Sequence, residues 1–138
     1  MSAVLNPYLN FRDTAREALE FYQSVFGGEL TLSTFTELGG PDYADEGDKI
    51  MHGQLTTPAG FTLMGADTPK SMEWHAGSNI TVSLSGDDDV ALRGYWDKLL
   101  KGATVIEPLA VAPWGDSFGM LTDRFGTGWL VNISGSAA

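Results

Sequence analysis

Two side chains in this sequence are placed for hydrogen-bonding or acid–base chemistry: His52 and Gln54, within Ile50-Met-His52-Gly-Gln54-Leu55. They stand two residues apart, and on a strand that spacing puts both on one face. An imidazole titrating near neutral pH, beside an amide that donates and accepts, can orient a small molecule or move a proton on it. The competing reading is a partly buried histidine bonded to a neighbouring strand or helix. His75, in Glu73-Trp74-His75, is the chain's other histidine and reads as a solvated loop residue or a lid contact. Trp74, Trp114 and Trp129, with Tyr8 and Phe118, are candidates for an aromatic wall, since rings offer apolar area and a face that attracts cations. Trp129 lies within a strand pattern and reads better as core. Asp116, in Trp114-Gly-Asp116, precedes a strand. It either accepts a hydrogen bond from a ligand or caps its own turn.

The elements that must hold these residues form one pattern used twice. Val4 to Phe11 reads as a strand. Thr14-Ala-Arg-Glu17 fits a capping box, with Asp13 or Thr14 as the cap. Ala15, Ala18, Phe21 (or Tyr22), Val25 and Phe26 then recur at helical spacing until Gly27-Gly28 ends the helix. Leu30 to Phe35 is a second strand, and residues 39–48 are a Gly-, Pro- and acid-rich loop. Ile50 to Thr56 and Phe61 to Gly65 are strands joined by the turn Thr57-Pro-Ala-Gly60, and residues 67–77 form another loop. The second cycle opens with a strand from Asn79 to Leu84. Asp87-Asp88-Asp89 then starts a helix carrying Leu92, Tyr95 (or Trp96), Leu99 and Leu100, ended by Gly102. Val105 to Ala110, Phe118 to Thr122 and Trp129 to Ile133 supply three further strands. A shift of 74 maps Ala18 onto Leu92, Tyr22 onto Trp96, Val25 onto Leu99 and Gly28 onto Gly102. The expected class is α+β: a tandem βαβββ repeat whose mainly antiparallel sheets curl around a cavity. A single domain over residues 1–138 is expected, with repeats at about 4–66 and 78–134.

Composition narrows the partners. Among 138 residues there are 8 Lys plus Arg against 18 Asp plus Glu, a formal charge of −10 at pH 7. A phosphate backbone or an anionic bilayer requires a basic face, so nucleic acid and membrane surface are excluded as main partners. A cationic ligand is permitted. With no cysteine, disulfides, thiolate nucleophiles and thiolate metal sites are all excluded. No apolar run approaches a membrane span and Met1-Ser-Ala is not a signal peptide, so the cytoplasm is the expected location. Asp42 to Asp48 is acidic but lacks the ligand spacing of a calcium loop, and Leu38-Gly39-Gly40-Pro41 lacks the lysine and helix of a phosphate loop.

Several stretches carry a family resemblance: Pro7-Tyr8-Leu9-Asn10-Phe11, Ala18-Leu-Glu-Phe-Tyr22 with Phe26-Gly27-Gly28, and Ile50-Met-His52-Gly-Gln-Leu55. To these are added Phe61-Thr-Leu-Met-Gly-Ala-Asp67, Trp114-Gly-Asp116-Ser-Phe-Gly119 and Asp123-Arg-Phe-Gly-Thr-Gly-Trp129. In this order, across residues 4–134, the chain resembles the vicinal oxygen chelate superfamily of glyoxalase I, extradiol dioxygenases and bleomycin-resistance proteins. It resembles most closely the PhnB-like branch, also called 3-demethylubiquinone-9 3-methyltransferase-like, in which a histidine recurs at the strand of His52. The resemblance implies a glyoxalase/bleomycin resistance-like fold and a homodimer.

Active members of the superfamily hold a divalent ion with His and Glu from four strands, which stabilises an oxyanion on the substrate. By resemblance those places fall near Asn6 to Tyr8, on Phe61 to Gly65, at Asn79 and at Leu130. None carries a strong ligand, so the usual metal site is not expected and no cofactor is predicted. No Gly-rich strand-to-helix turn for S-adenosylmethionine is present either, so methyl transfer is not carried over. The expected function is binding of a small molecule, cationic by analogy with the bleomycin-resistance members. Tyr8, Trp74, Asn79, Trp114, Asp116 and Phe118 are its contacts and His52 and Gln54 the reactive pair. The alternative is a divalent-metal-dependent lyase, isomerase or dioxygenase-type enzyme with a non-standard site around His52.

Overall fold

In the computed structural model, which describes residues 3–38, 46–75, 77 and 79–135, pairing of the first strand begins only at Tyr8. Pro7 has no N–H to donate to a ladder. Its carbonyl accepts from the Met64 N–H at 3.1 Å, and β1 (Tyr8–Phe11) runs on from there. Val4 and Leu5, expected inside the strand, precede it and are exposed. Helix α1 (Ala15–Phe26) buries Ala15, Ala18, Leu19, Phe21, Tyr22, Val25 and Phe26. It stops where Gly27 and Gly28 take φ of 73° and 101°. Then come β2 (Glu29–Thr34), the short α2 (Phe35–Leu38), β3 (Ile50–Thr56) and β4 (Thr62–Asp67). Of the acidic loop expected over 39–48, residues 39–45 lie outside the described residues.

The first helix is not capped as its sequence predicts. Thr14 occupies the N-cap position, but its side chain makes no capping hydrogen bond. Asp67, at the end of β4, takes that role: Oδ1 accepts from Ala15 N–H and Oδ2 from Ile50 N–H, each at 3.0 Å. The residue is buried. A buried carboxylate must find donors, it accepts more strongly than a hydroxyl, and its charge opposes the positive end of the helix. One side chain thereby ties α1, β3 and β4 together.

The second cycle repeats the order: β5 (Val82–Gly86), α3 (Asp89–Leu99), β6 (Thr104–Val111), β7 (Ser117–Thr122) and β8 (Gly128–Ile133). Here the cap is local, Asp88 accepting from Ala91 N–H at 3.1 Å. Asn79 and Ile80 lie outside β5 and are exposed, because pairing starts with Val82 opposite Trp129. The strand expected from Asn79 is therefore shorter and later.

The packing divides into two compact units, residues 1–76 and 77–138. Each holds a four-stranded sheet, ordered β1-β4-β3-β2 in the first and β5-β8-β7-β6 in the second. In both, the first and last strands of the cycle pair in parallel and the other pairings are antiparallel. The shift of 74 holds through the helices but not beyond. Gly53 pairs with Gly65 as Gly119 pairs with Val131, a shift of 66, because residues 35–49 connect β2 to β3 whereas only residues 112–116 connect β6 to β7.

Each sheet buries one face under its helix. In the first unit Leu19, Tyr22, Ile50 and Leu55 are fully buried; in the second, Leu99, Leu121, Trp129 and Val131. A β-carbon at Gly53 would lie 2.4 Å from Leu19 Cδ1, and one at Gly119 would lie 2.8 Å from the Trp96 ring. Glycine at these two matched positions lets each helix settle onto its sheet. Among the described residues no helix is long and apolar enough to cross a membrane.

Candidate functional site

With Gly53 and Leu55 turned toward α1, strand alternation sends His52 and Gln54 to the opposite face of the first sheet. Register then decides their neighbours. Ser33 stands opposite His52, Thr31 opposite Gln54, Met64 opposite Gln54, and Tyr8 opposite Met64. His52, Gln54, Ser33 and Met64 are half-buried while Tyr8 and Thr31 are exposed, and the face mixes hydroxyl, amide, imidazole and thioether groups. The Tyr8 and His52 rings pack with centroids 5.9 Å apart and planes inclined by 38°. Burial pushes the Tyr8 phenol above its ordinary pKa, so it remains an O–H donor at neutral pH. The imidazole of His52 makes no hydrogen bond or ion pair to a described residue. Gln54 reaches only Thr56 Oγ1, at 3.5 Å.

The other expected residues divide. Trp74 lies in the segment after β4 and donates its indole N–H to the Asn10 carbonyl of β1 at 3.0 Å. His75 is solvated, its Nε2 lying 3.3 Å from Glu73 Oε2, both side chains exposed. In the second unit, Trp114 is 61% exposed and meets Phe118 edge-to-face with centroids 5.5 Å apart. The two help line a hollow of about 360 Å³ with Pro108, Pro113 and Met120. Asp116 is tied into its own unit. Oδ2 accepts from Asn132 Nδ2 at 3.0 Å and Oδ1 from Gly135 N–H at 2.8 Å. These bonds, that from Asn132 foremost, hold its carboxyl below the usual aspartate range. Trp129 is core: it is 1% exposed and donates its indole N–H to Asp123 Oδ2 at 2.8 Å.

The ligand positions implied by the resemblance can be matched between the sheets by register, each within its own unit. Tyr8 pairs with Met64, and Ser83 pairs with Leu130 in the matching place of the second sheet. Ser83, not Asn79, is thus the counterpart of Tyr8. Neither pair offers the imidazole and carboxylate donors such an ion takes: the first has a phenol and a thioether, the second a hydroxyl and an alkyl chain. Among the described residues no three His, Asp or Glu side chains gather closely enough to hold a metal ion.

Ser33, Thr31 and Met64 were not singled out from the sequence. Their signal is the alternation of Thr31 and Ser33 with Leu30 and Leu32, which marks a polar face. Which strand that face borders follows only from the pairing.

Residues 3–132 match the family described as 3-demethylubiquinone-9 3-methyltransferase. Protein PA1353 from Pseudomonas aeruginosa is 34% identical, with a TM-score of 0.87 over 98% of this chain and 100% of that one. A PhnB protein from Bacillus cereus, described as a putative 3-demethylubiquinone-9 3-methyltransferase, superposes with a TM-score of 0.74 at 22% identity, covering 96% and 100%. A glyoxylase/bleomycin resistance protein/dioxygenase domain from Frankia sp. EAN1pec shares the fold, with a TM-score of 0.65 at 14% identity over 97% and 98%.

Proposed function

Because the chain belongs to the 3-demethylubiquinone-9 3-methyltransferase family, the PhnB-like branch of the vicinal oxygen chelate superfamily, we propose that it binds a small molecule on the open face of its first sheet. The observation that carries this reading is His52: half-buried, packed against Tyr8, with no described partner for its ring nitrogens. An imidazole in that setting can still donate to or accept from a bound molecule. Tyr8 supplies a phenol donor, His52 a donor or acceptor by tautomer, and Gln54 both. Met64 and the Tyr8 ring give apolar contact. A few polar groups set beside apolar contact surface are the usual ingredients of a small-molecule site. The reading uses no divalent ion, since the side chains at the superfamily's ligand places do not fit one. The methyl transfer in the family's name is not part of it.

Native mass spectrometry after exposure to a cell-derived metabolite extract tests this. The expected result is one noncovalent organic adduct on the wild type, reduced about tenfold or more in His52→Ala and clearly weakened in Tyr8→Phe. No adduct, or one retained equally by both variants, overturns the reading. The same spectra report whether the protein is the homodimer that the family resemblance implies.

A further inference from the structure

Arg12 follows β1 and enters no ion pair among the described residues, in a chain with 18 acidic side chains. Its Nη2 donates to two backbone carbonyls, Pro69 O at 3.2 Å and Met72 O at 2.5 Å. Its Nε is buried and has no acceptor. Nε and Nη2 share one edge of the guanidinium, the edge that grips a carboxylate or phosphate with two parallel hydrogen bonds. Here the carbonyls of Pro69 and Met72 close on the Nη2 end of that edge, carried by residues 68–75, which run past it as a strap. Two carbonyls converge on Nη2 and neither reaches Nε. An oxyanion would satisfy both nitrogens and supply the missing negative charge.

The strap is firm at one end only. Thr68 N–H donates to Phe11 O at 2.6 Å and Lys70 N–H to Glu46 Oε1 at 3.0 Å. Beyond Lys70, its bonds to the rest of the unit among the described residues are the Met72 carbonyl on Arg12 and the Trp74 indole on Asn10. Met72, Glu73 and His75 are exposed.

From this we infer that Arg12 is a strap-covered oxyanion site: a carboxylate or phosphate group takes the Nε–Nη2 edge, the Met72 carbonyl leaves it, and Trp74 comes off Asn10. The ligand class is a small molecule bearing one such group. The inference goes beyond the His52 reading and does not depend on it.

Nitrogen-15 NMR of the arginine Nε–H and tryptophan indole N–H groups tests it. The full chain is titrated with sodium malonate and, separately, inorganic phosphate, at ionic strength fixed with chloride. Arg12→Lys identifies the Arg12 signal by its absence, and Trp74→Phe identifies the Trp74 signal. The Arg12 Nε–H should move downfield saturably, and the Trp74 indole signal should move with the same midpoint. Response to malonate alone assigns a carboxylate ligand, and to phosphate alone a phosphate ligand. Arg12→Lys, lacking the fork, should bind at least about tenfold more weakly. His52→Ala should leave the titration unchanged. An Arg12 signal unmoved by both anions, or moved equally by chloride, overturns the inference. Loss of anion binding in His52→Ala with a still Arg12 signal also overturns it, and places the anion on the face proposed above.

Discussion

Asp116 and Asp67 are both carboxylates with two donors each, yet their environments set different expectations. The donors on Asp116 are Asn132 and Gly135, and they hold its carboxyl below the usual aspartate range. A carboxyl depressed in the folded state contributes stability above its unfolded pKa, and loses it as pH falls through the folded value. Asp116→Asn should therefore be less stable than wild type at pH 7, and the gap should close below the usual aspartate range. Urea unfolding at a series of pH values checks this. A gap independent of pH would contradict it. Asp67 is buried instead, and Asp67→Ala strands two buried N–H groups, Ala15 and Ile50. It should cost about 3 kcal/mol in the same measurement. The sequence places His52 and Gln54 on one face through their spacing. It does not reveal Asp67 or Arg12 as anchors, because their partners lie 52 and 57 residues away and a chain read alone carries no register.

At the scale of elements, the same helix–sheet contact is built twice around a glycine. Gly53→Ala drives a methyl group into Leu19, and Gly119→Ala drives one into Trp96 and the Leu109 backbone. Each should lower stability by about 1–3 kcal/mol through overpacking. Gly94, inside α3, has open space around its β-carbon position. Gly94→Ala should raise stability by about 0.5–1 kcal/mol, because alanine loses less backbone freedom in a helix. Thermal unfolding of the three variants compares the directions. The two long helices were readable to within a residue or two, since 3.6-residue periodicity and terminal glycines are local signals, whereas the four-residue α2, too short to show a period, was not, and Phe35 was expected in the strand before it. Strand starts were less so. Pro7 delays β1 by removing a donor, and β5 waits for its partner Trp129, which only the folded sheet supplies.

For the whole molecule, the charge of −10 makes the folded chain repel itself at low ionic strength. The melting temperature should rise by a few degrees when sodium chloride is raised from about 0.02 to 0.2 M, as screening shortens the reach of that repulsion. A flat or falling trend in differential scanning calorimetry would show that the acidic side chains are held apart well enough not to matter. The tandem architecture was legible because the order of elements repeats, although the spacing drifts from 74 to 66 across the unequal connections. The two caps also set a sequence in time. Asp88 starts α3 from three residues away, whereas Asp67 completes the start of α1 from a strand 52 residues further on. Asp88→Ala should slow refolding nearly in proportion to its loss of stability, and Asp67→Ala should mainly speed unfolding, as stopped-flow kinetics would show. On a ribosome the first helix emerges long before the strand that finishes it, while the later helix arrives with its own beginning attached. If the two variants behave in this way, assembly runs against the direction of synthesis, with the half made last folding first.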